Sequence, residues 1–199
     1  MQKVNHFKII AGKFKGKTLD MPSLDTTRSS KAILRESYFN KLQFDIVNMP
    51  LVEMFAGSGS IGLEALSRGA SDVYFLEKNR EAFTVLQRNI RTLGADKNAH
   101  TFFGDSFGTI GEVLRQLKTK QQKAFFYADP PFSIRDAQEE IYIKTFKMLE
   151  SLPQEVVEMI TIEHMSGLEL PKNIGVFHLD KTKKFGKSSL SYFLNSNSY

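Results

Sequence analysis

The sequence predicts an α/β fold built on a doubly wound, mostly parallel sheet. Short apolar strands alternate with helical patterns from residue 51 onward, the first of these strands runs into a glycine-rich turn, and two apolar segments close the chain without a helix between them. Strands that alternate with helices are joined by right-handed crossovers, which leave the strands parallel. Such sheets bind ligands at the carboxyl ends of their strands, so we expect the functional site there.

The segment before this pattern is predicted to form a β-hairpin and a helix. Two apolar stretches flank Gly12 and Gly16, as in two short strands joined by a turn. Apolar residues then recur at helical spacing from about residue 29 to residue 44. We expect a hairpin extension at residues 1–22 and a main domain at residues 23–199.

The main domain repeats a unit of strand, turn and helix. The predicted strands are 51–55, 73–76, 101–103, 124–127 and 156–162, and the predicted helices are 61–68, 80–93, 107–118 and 137–152. Segments 176–181 and 189–194 are predicted to close the sheet as an antiparallel pair.

Composition excludes several functional classes. The 199 residues include no Cys, which excludes a disulfide scaffold, a thiolate zinc site and a cysteine nucleophile. The four His show no metal-ligand spacing, so no metal is expected. Apolar stretches are too short for a membrane span, and lysines interrupt the start of the chain where a signal peptide would be apolar. We expect a soluble, cytoplasmic protein, most simply a monomer.

The glycine-rich turn Gly57-Ser58-Gly59-Ser60-Ile61-Gly62 follows the strand at 51–55 and opens a helix. Its glycines allow the backbone to approach a ligand closely, and Glu77 ends the next strand, where an acid suits a ribose diol. This layout serves both NAD and S-adenosylmethionine.

Four carboxylates favour S-adenosylmethionine over NAD. Glu53 lies on the first strand, and Glu77, Asp105 and Asp129 end the next three. This crevice would repel a pyrophosphate and attract an ammonium and a sulfonium. We expect Glu53 near the methionine ammonium, Glu77 at the ribose and Asp105 at the adenine amino group. The predicted cofactor-binding residues are Glu53, Phe55, Ala56, Gly57, Ser58, Gly59, Gly62, Glu77, Lys78, Asp105, Ser106 and Asp129.

The tetrapeptide Asp129-Pro130-Pro131-Phe132 leaves a buried strand and enters the same crevice. Two prolines stiffen the loop and remove two backbone donors, so the loop is rich in acceptors. The Asp129 carboxylate and the Pro130 carbonyl are predicted to accept hydrogen bonds from a conjugated amino group, which favours its attack on a methyl group. Phe132 is predicted to stack on the base, for about 1–3 kcal/mol. The predicted catalytic residues are Asp129, Pro130 and Phe132.

Motifs spread over nearly the whole chain carry a family resemblance. They are Lys8-Ile9-Ile10-Ala11-Gly12, Thr27-Arg28 with Arg35-Glu36 and Phe39-Asn40, FAGSGSIGLEALSRGA, FLEKN, GDSF, DPPF and Lys184-Phe185-Gly186-Lys187-Ser188. The chain resembles the RsmD family of bacterial 16S rRNA guanine-N2 methyltransferases. The resemblance implies a Rossmann-like class I methyltransferase fold, S-adenosylmethionine as cofactor, and a guanine of 16S rRNA in an assembling 30S subunit as substrate. Three departures are Lys8 in place of Arg, Glu53 in place of Asp, and residues 29–33 in place of the family's P-T-x-D-R.

Lysines crowd both ends of the chain and predict an RNA-binding face. A target base in such a crevice must be unpaired or flipped out. The predicted RNA-binding residues are Lys13, Lys15, Lys17, Arg28, Arg35, Lys183, Lys184 and Lys187.

Three alternatives stay open. The DPPF tetrapeptide would serve adenine N6 of DNA or RNA equally well, because none of its residues distinguishes the bases. The chain would also fit an RNA-binding module with a vestigial cofactor site, or an NAD-dependent reductase.

Overall fold

The computed structural model describes residues 5–22, 28–131 and 136–195. Strands β1 (Asn5–Lys8) and β2 (Thr18–Met21) form an antiparallel hairpin, and helix α1 (Arg28–Leu42) follows. Phe7 and Leu19 face each other in the hairpin and are buried in the same core as the helices behind it. The hairpin therefore packs as part of the main body.

The remaining elements of the described chain alternate as predicted. The strands are β3 (Leu51–Met54), β4 (Val73–Glu77), β5 (Ala99–Phe103), β6 (Ala124–Ala128), β7 (Val157–Met165), β8 (Asn173–Ile174), β9 (Phe177–Phe185) and β10 (Ser188–Asn195). The helices are α2 (Ser60–Ser67), α3 (Arg80–Leu93), α4 (Ser106–Thr119) and α5 (Asp136–Glu150), with a short 3-10 turn at Gln154–Val156.

These strands form one sheet in the order β5-β4-β3-β6-β7-β10-β9-β8. Strands β5 to β7 of this order are parallel, and β10, β9 and β8 are antiparallel to their neighbours. The connections run in opposite directions from β3 and β6, which opens a crevice at the carboxyl ends of these two strands. The predicted doubly wound sheet with a closing antiparallel pair is confirmed.

Alternation along the strands builds two cores, one on each face of the sheet. The hairpin, α1, α2 and α3 cover the face that carries Phe75 and Tyr127, and α4 and α5 cover the face that carries Phe126. Successive strand residues point to opposite faces, so Tyr127 and Phe126 enter different cores.

Two features at the antiparallel edge differ from the prediction. The short strand β8 was not predicted, and β9 continues to Phe185 instead of ending at Lys181. Residues 180–184 are polar and mostly exposed, so no apolar alternation marks them as a strand, and their pairing with β10 supplies the hydrogen bonds instead. No helix in the described segments is long and apolar enough to cross a membrane.

Candidate active site

The glycine-rich turn connects β3 to α2 at the crevice. Phe55, Gly57 and Gly59 all have positive φ, at 59°, 54° and 79°. The Ala56 N–H donates to the Leu76 carbonyl at 2.9 Å, which holds the turn against the end of β4. A Cβ built on Gly57 meets nothing within 4 Å, so this part of the turn faces open space. The turn therefore presents bare backbone to the crevice, as a bound nucleoside requires.

Gly62 has a packing role on the opposite side of this turn. A Cβ at Gly62 would lie 2.3 Å from Phe75 Cε1 and 2.6 Å from Val73 Cγ1. Only glycine lets the first turn of α2 approach β4 this closely.

Glu53 supports the turn from beneath. Its two carboxyl oxygens accept hydrogen bonds from the Ile61 N–H at 3.1 Å and the Gly62 N–H at 2.8 Å, two of the free donors at the amino end of α2. The side chain is buried, and burial raises the pKa of Glu53 to about 8, although the two backbone hydrogen bonds lower it. Contact between Glu53 and a methionine ammonium stays a prediction.

Glu77 ends β4 beside the turn. Its Oε2 accepts from the Gly57 N–H and its Oε1 accepts from the Asn79 N–H, both at 2.6 Å. These two bonds fix the carboxylate at the edge of the crevice. A carboxylate has about four acceptor sites, so it retains capacity for the two hydroxyls of a ribose.

The end of β5 forms a second wall of the crevice. Asp105 caps the amino end of α4 and accepts from the Phe107 N–H at 3.0 Å, while the Phe55 N–H donates to Ser106 Oγ at 3.3 Å. The rings of Phe55 and Phe107 pack edge to face with centroids 5.8 Å apart. Lys78 Nζ lies 4.0 Å from Asp105 Oδ2. Aromatic edges beside a half-exposed carboxylate suit a purine ring with an amino group.

Asp129 lies directly beyond β6, on the other side of the crevice. Lys31 of α1 donates to its Oδ2 at 3.1 Å, and both side chains are partly exposed. Pro130 is buried and Pro131 is exposed, so the described part of the tetrapeptide lies where predicted. Phe132 lies outside the described residues. The cofactor and catalytic roles of these residues stay predictions.

The structure separates the two basic groups of the chain. The turn lysines (Lys13, Lys15 and Lys17) lie at the carboxyl end of α2, where the Lys13 N–H donates to the Ser67 carbonyl at 2.8 Å. The edge lysines (Lys183, Lys184 and Lys187) lie around the β9–β10 turn, and Ser188 of this turn pairs with Met165 at the carboxyl end of β7. Of these two groups, the edge lysines lie at the end of the sheet that carries Asp129, and the turn lysines lie at the opposite end.

Of the two arginines predicted to bind RNA, the structure describes the side chain of Arg35 but not that of Arg28. Arg28 begins α1, and its side chain lies outside the described part. Arg35 is only 4% exposed, and its Nη2 donates to the Lys8 carbonyl at 2.7 Å. Burial lowers the pKa of Arg35, and the charge of Glu64, 3.8 Å away, raises it. Arg35 thus joins α1 to the hairpin instead of presenting its charge to a ligand.

Two side chains near the crevice were not predicted from the sequence. Lys31 stands in the segment where the chain departs from the family motif, and its partner Asp129 is 98 residues away. Glu163 of β7 is 3% exposed and accepts from the Tyr127 hydroxyl at 2.7 Å. Glu163 directly follows the β-branched run of residues 156–162, which already holds a second acid, Glu158, so the sequence alone does not single Glu163 out. Among the described residues, no group of His, Asp and Glu has the arrangement of a metal site.

This strand order, with a glycine-rich turn and acids at the carboxyl ends of β4, β5 and β6, defines a Rossmann-like methyltransferase fold. A family model described as conserved hypothetical protein 95 matches residues 7–194, and the chain belongs to this family, the RsmD family whose motifs it carries.

Relatives and solved structures agree with this assignment. The Escherichia coli (strain K12) protein named Ribosomal RNA small subunit methyltransferase D is 35% identical over 137 residues, which are 66% of each chain. The Haemophilus influenzae protein of the same name is 33% identical over 134 residues, which are 67% of this chain and 68% of that protein. A solved structure named "Putative methyltransferase yhhF from Escherichia coli" superposes with a TM-score of 0.74 at 28% identity, covering 96% of this chain and 98% of that one.

Proposed function

We propose that this protein transfers a methyl group from S-adenosylmethionine to the exocyclic N2 of a guanine in 16S rRNA. One observation carries the proposal: Asp129 and Pro130 leave buried β6 at the point where the strand order reverses, opposite the glycine-rich turn and Glu77. The names of the relatives, which specify small-subunit rRNA, support the substrate class.

The residues on the cofactor side fit S-adenosylmethionine. Open space above Gly57 leaves room for the cofactor, and Glu77, already held by two backbone N–H groups, would bind the ribose hydroxyls. Phe55 and Asp105 would hold the adenine through ring contact and through its amino group. When bound, the cofactor supplies an activated methyl group, so neither a metal nor a covalent enzyme intermediate is needed.

Asp129 and Pro130 would act on the base. The lone pair of an amino group on a base ring is delocalised into the ring. Acceptance of both amino protons, by the Asp129 carboxylate and the Pro130 carbonyl, favours a tetrahedral nitrogen and directs its lone pair at the methyl group. Asp129 already accepts one bond from Lys31 and has acceptor sites left for the amine. As the N–C bond forms, the C–S bond breaks, and the nitrogen then loses a proton to Asp129 or to solvent.

In this reaction the protein acts mainly by positioning the two substrates. An in-line displacement needs the amine and the methyl carbon aligned at close approach and shielded from water. The target guanine must leave its stack to reach this position, at a cost of a few kcal/mol. We propose that the protein acts in the cytoplasm, as a monomer, on a guanine exposed in an assembling 30S subunit, with the edge lysines contacting phosphates.

The direct test is transfer of labelled methyl from S-adenosylmethionine to 30S particles from cells that lack this protein, with identification of the product nucleoside. We expect N2-methylguanosine. N6-methyladenosine would move the substrate to adenine, and no transfer to any nucleic acid would favour a binding module. A change in NADH absorbance with carbonyl substrates would favour a reductase.

Asp129→Ala tests the assigned roles. It should abolish methyl transfer while binding of the cofactor falls much less, because the proposed contacts of Asp129 are mainly to the substrate amine. Asp45→Ala, which changes an exposed acid beyond α1, is the matched control and should retain activity. Equal loss of transfer and of cofactor binding in Asp129→Ala would contradict the assignment.

A further inference from the structure

Glu163 of β7 occupies the register position next to Asp129, which follows β6. The last registered pair of β6 and β7 is Ala128 with Ile162, and Asp129 and Glu163 each follow by one residue. Neighbouring strands lie about 4.8 Å apart. Since Tyr127 also pairs with Thr161, alternation places Asp129 and Glu163 on the same face of the sheet, at its carboxyl end.

The carboxylate of Glu163 is held as a hydrogen-bond acceptor. The Tyr127 hydroxyl donates to its Oε2 at 2.7 Å, and both residues are buried. Burial, and next the charge of Glu163, raise the pKa of Tyr127 well above its ordinary value, so the phenol keeps the proton that it donates. This bond orients the carboxylate and uses one of the about four acceptor sites of such a group.

Two adjacent carboxylates match the Watson–Crick edge of guanine. On this edge, guanine presents two neighbouring donors, its N2 amino group and its N1–H. Adenine presents its N6 amino group next to N1, which is an acceptor. Asp129 can take the amino group of either base, but a neighbouring carboxylate would bind guanine N1–H and would face the lone pair of adenine N1. A buried, mismatched polar pair of this kind is strongly disfavoured.

We propose that Glu163 accepts the N1–H of the target guanine while Asp129 and Pro130 hold its amino group, so that Glu163 makes the site select guanine over adenine. This inference rests on the proposed function. It supplies what the DPPF tetrapeptide lacks, a side chain that distinguishes the two bases. The position follows from the pairing of two strands whose residues are 34 apart in sequence.

The test compares guanine with 2-aminopurine, which keeps the amino group at C2 but has an acceptor at N1. The nucleotide methylated by the wild-type protein is first mapped, and 30S particles are then reconstituted with 16S rRNA ligated to carry either base at that position. We expect the wild-type protein to methylate 2-aminopurine with a kcat/KM at least about 10-fold lower than guanine.

Glu163→Gln should reduce or invert this preference. Its amide can donate to the N1 acceptor of 2-aminopurine, so we expect activity on guanine to fall and the guanine to 2-aminopurine ratio to narrow at least about 10-fold. Glu163→Asp, which retains the charge, should still prefer guanine. Glu158→Gln, an exposed acid of the same strand paired with Lys123, is the matched control and should keep the wild-type ratio.

The possible results test the role of Glu163 and the proposed methylation of guanine separately. Equal wild-type activity on both bases, or an unchanged ratio in Glu163→Gln, would overturn the role of Glu163 and leave guanine methylation standing. Equal activity of the wild-type protein on both bases overturns the role of Glu163 without any variant, and Glu163→Asp, which should still prefer guanine, serves if Glu163→Gln does not fold. No methylation of guanine particles by the wild-type protein would refute the proposed function and the inference together.

Discussion

Replacement of Glu64 by Gln should destabilise the protein more than any surface substitution. Glu64 of α2 is fully buried and accepts from the Ile10 N–H at 2.8 Å, the Ala11 N–H at 3.0 Å and Arg68 Nε at 2.8 Å. Arg35 Nε lies 3.8 Å from the same carboxylate. This one side chain therefore connects the hairpin and α1 to α2.

The magnitude follows from these contacts. The amide of Gln keeps one acceptor oxygen and turns a donor toward the other N–H groups, so at least one buried donor loses its partner, at about 1–3 kcal/mol. Arg35 also keeps a buried charge without its counter-ion, and breaking a buried pair in this way costs about 3–5 kcal/mol. These two costs overlap, so we expect a loss of about 3–5 kcal/mol from a total stability on the order of 5–15 kcal/mol.

Urea unfolding followed by circular dichroism measures this loss as a shift in midpoint at constant m value. Glu112→Gln is the matched control, because Glu112 pairs with Arg115 on an exposed face of α4 and its loss should not move the midpoint measurably. A loss below about 1 kcal/mol for Glu64→Gln would refute the reasoning and would mean that apolar packing alone holds the hairpin.

Three further predictions concern the turn and the basic surface. The raised pKa of Glu53 means that the folded protein keeps a proton that the unfolded chain loses, so the free energy of unfolding should fall between about pH 4.5 and 8, by at most about 1.4 kcal/mol per pH unit. Glu53→Gln should show a flatter dependence in urea titrations, and an equal slope would contradict the assignment. Gly62→Ala should lower the free energy of unfolding by about 1–3 kcal/mol, because its Cβ would overpack against β4. Gly111→Ala is the control and should not destabilise the protein, because a Cβ at Gly111 in α4 meets open space. Equal melting temperatures for the wild-type protein and Gly62→Ala would refute the packing role of Gly62. Replacing the three turn lysines together with Glu should weaken RNA binding and flatten its dependence on salt in filter-binding assays, and an unchanged salt slope would remove the hairpin from the RNA surface.

Local patterns predicted most of the fold. The helix at 80–93 is predicted from Phe83, Leu86, Ile90 and Leu93, whose spacing places them on one face. The last three are buried and Phe83 is partly buried against the same core. The glycine-rich turn was recognised because its geometry depends on residues adjacent in sequence. Strand β8, only two residues long, carries no periodic signal and forms through pairing with β9.

The contacts between distant segments could not be predicted in the same way. The contact of Glu53 with a ligand ammonium stays a prediction, and its two hydrogen bonds from the first turn of α2 could not be predicted from the local sequence. Nothing in the local sequence around Glu64 predicts that it is buried, because its partner Ile10 lies 54 residues earlier in the hairpin segment. The surroundings of these side chains depend on tertiary packing, which a local sequence pattern does not predict.

The two basic groups should contribute unequally to RNA binding because the fold separates them. Helix α2 runs from the glycine-rich turn at the carboxyl end of the sheet to Ser67, where the turn lysines dock, and its eight residues span about 12 Å. The edge lysines instead follow β9 to the carboxyl end, where β10 turns back beside β7. Under the proposed function, the phosphates of a base flipped to Asp129 would lie near that end, so we expect the edge lysines to contact the nucleotides that flank the target. The turn lysines can reach only RNA that extends down the side of the domain, which makes their contribution depend on the length and folding of the RNA.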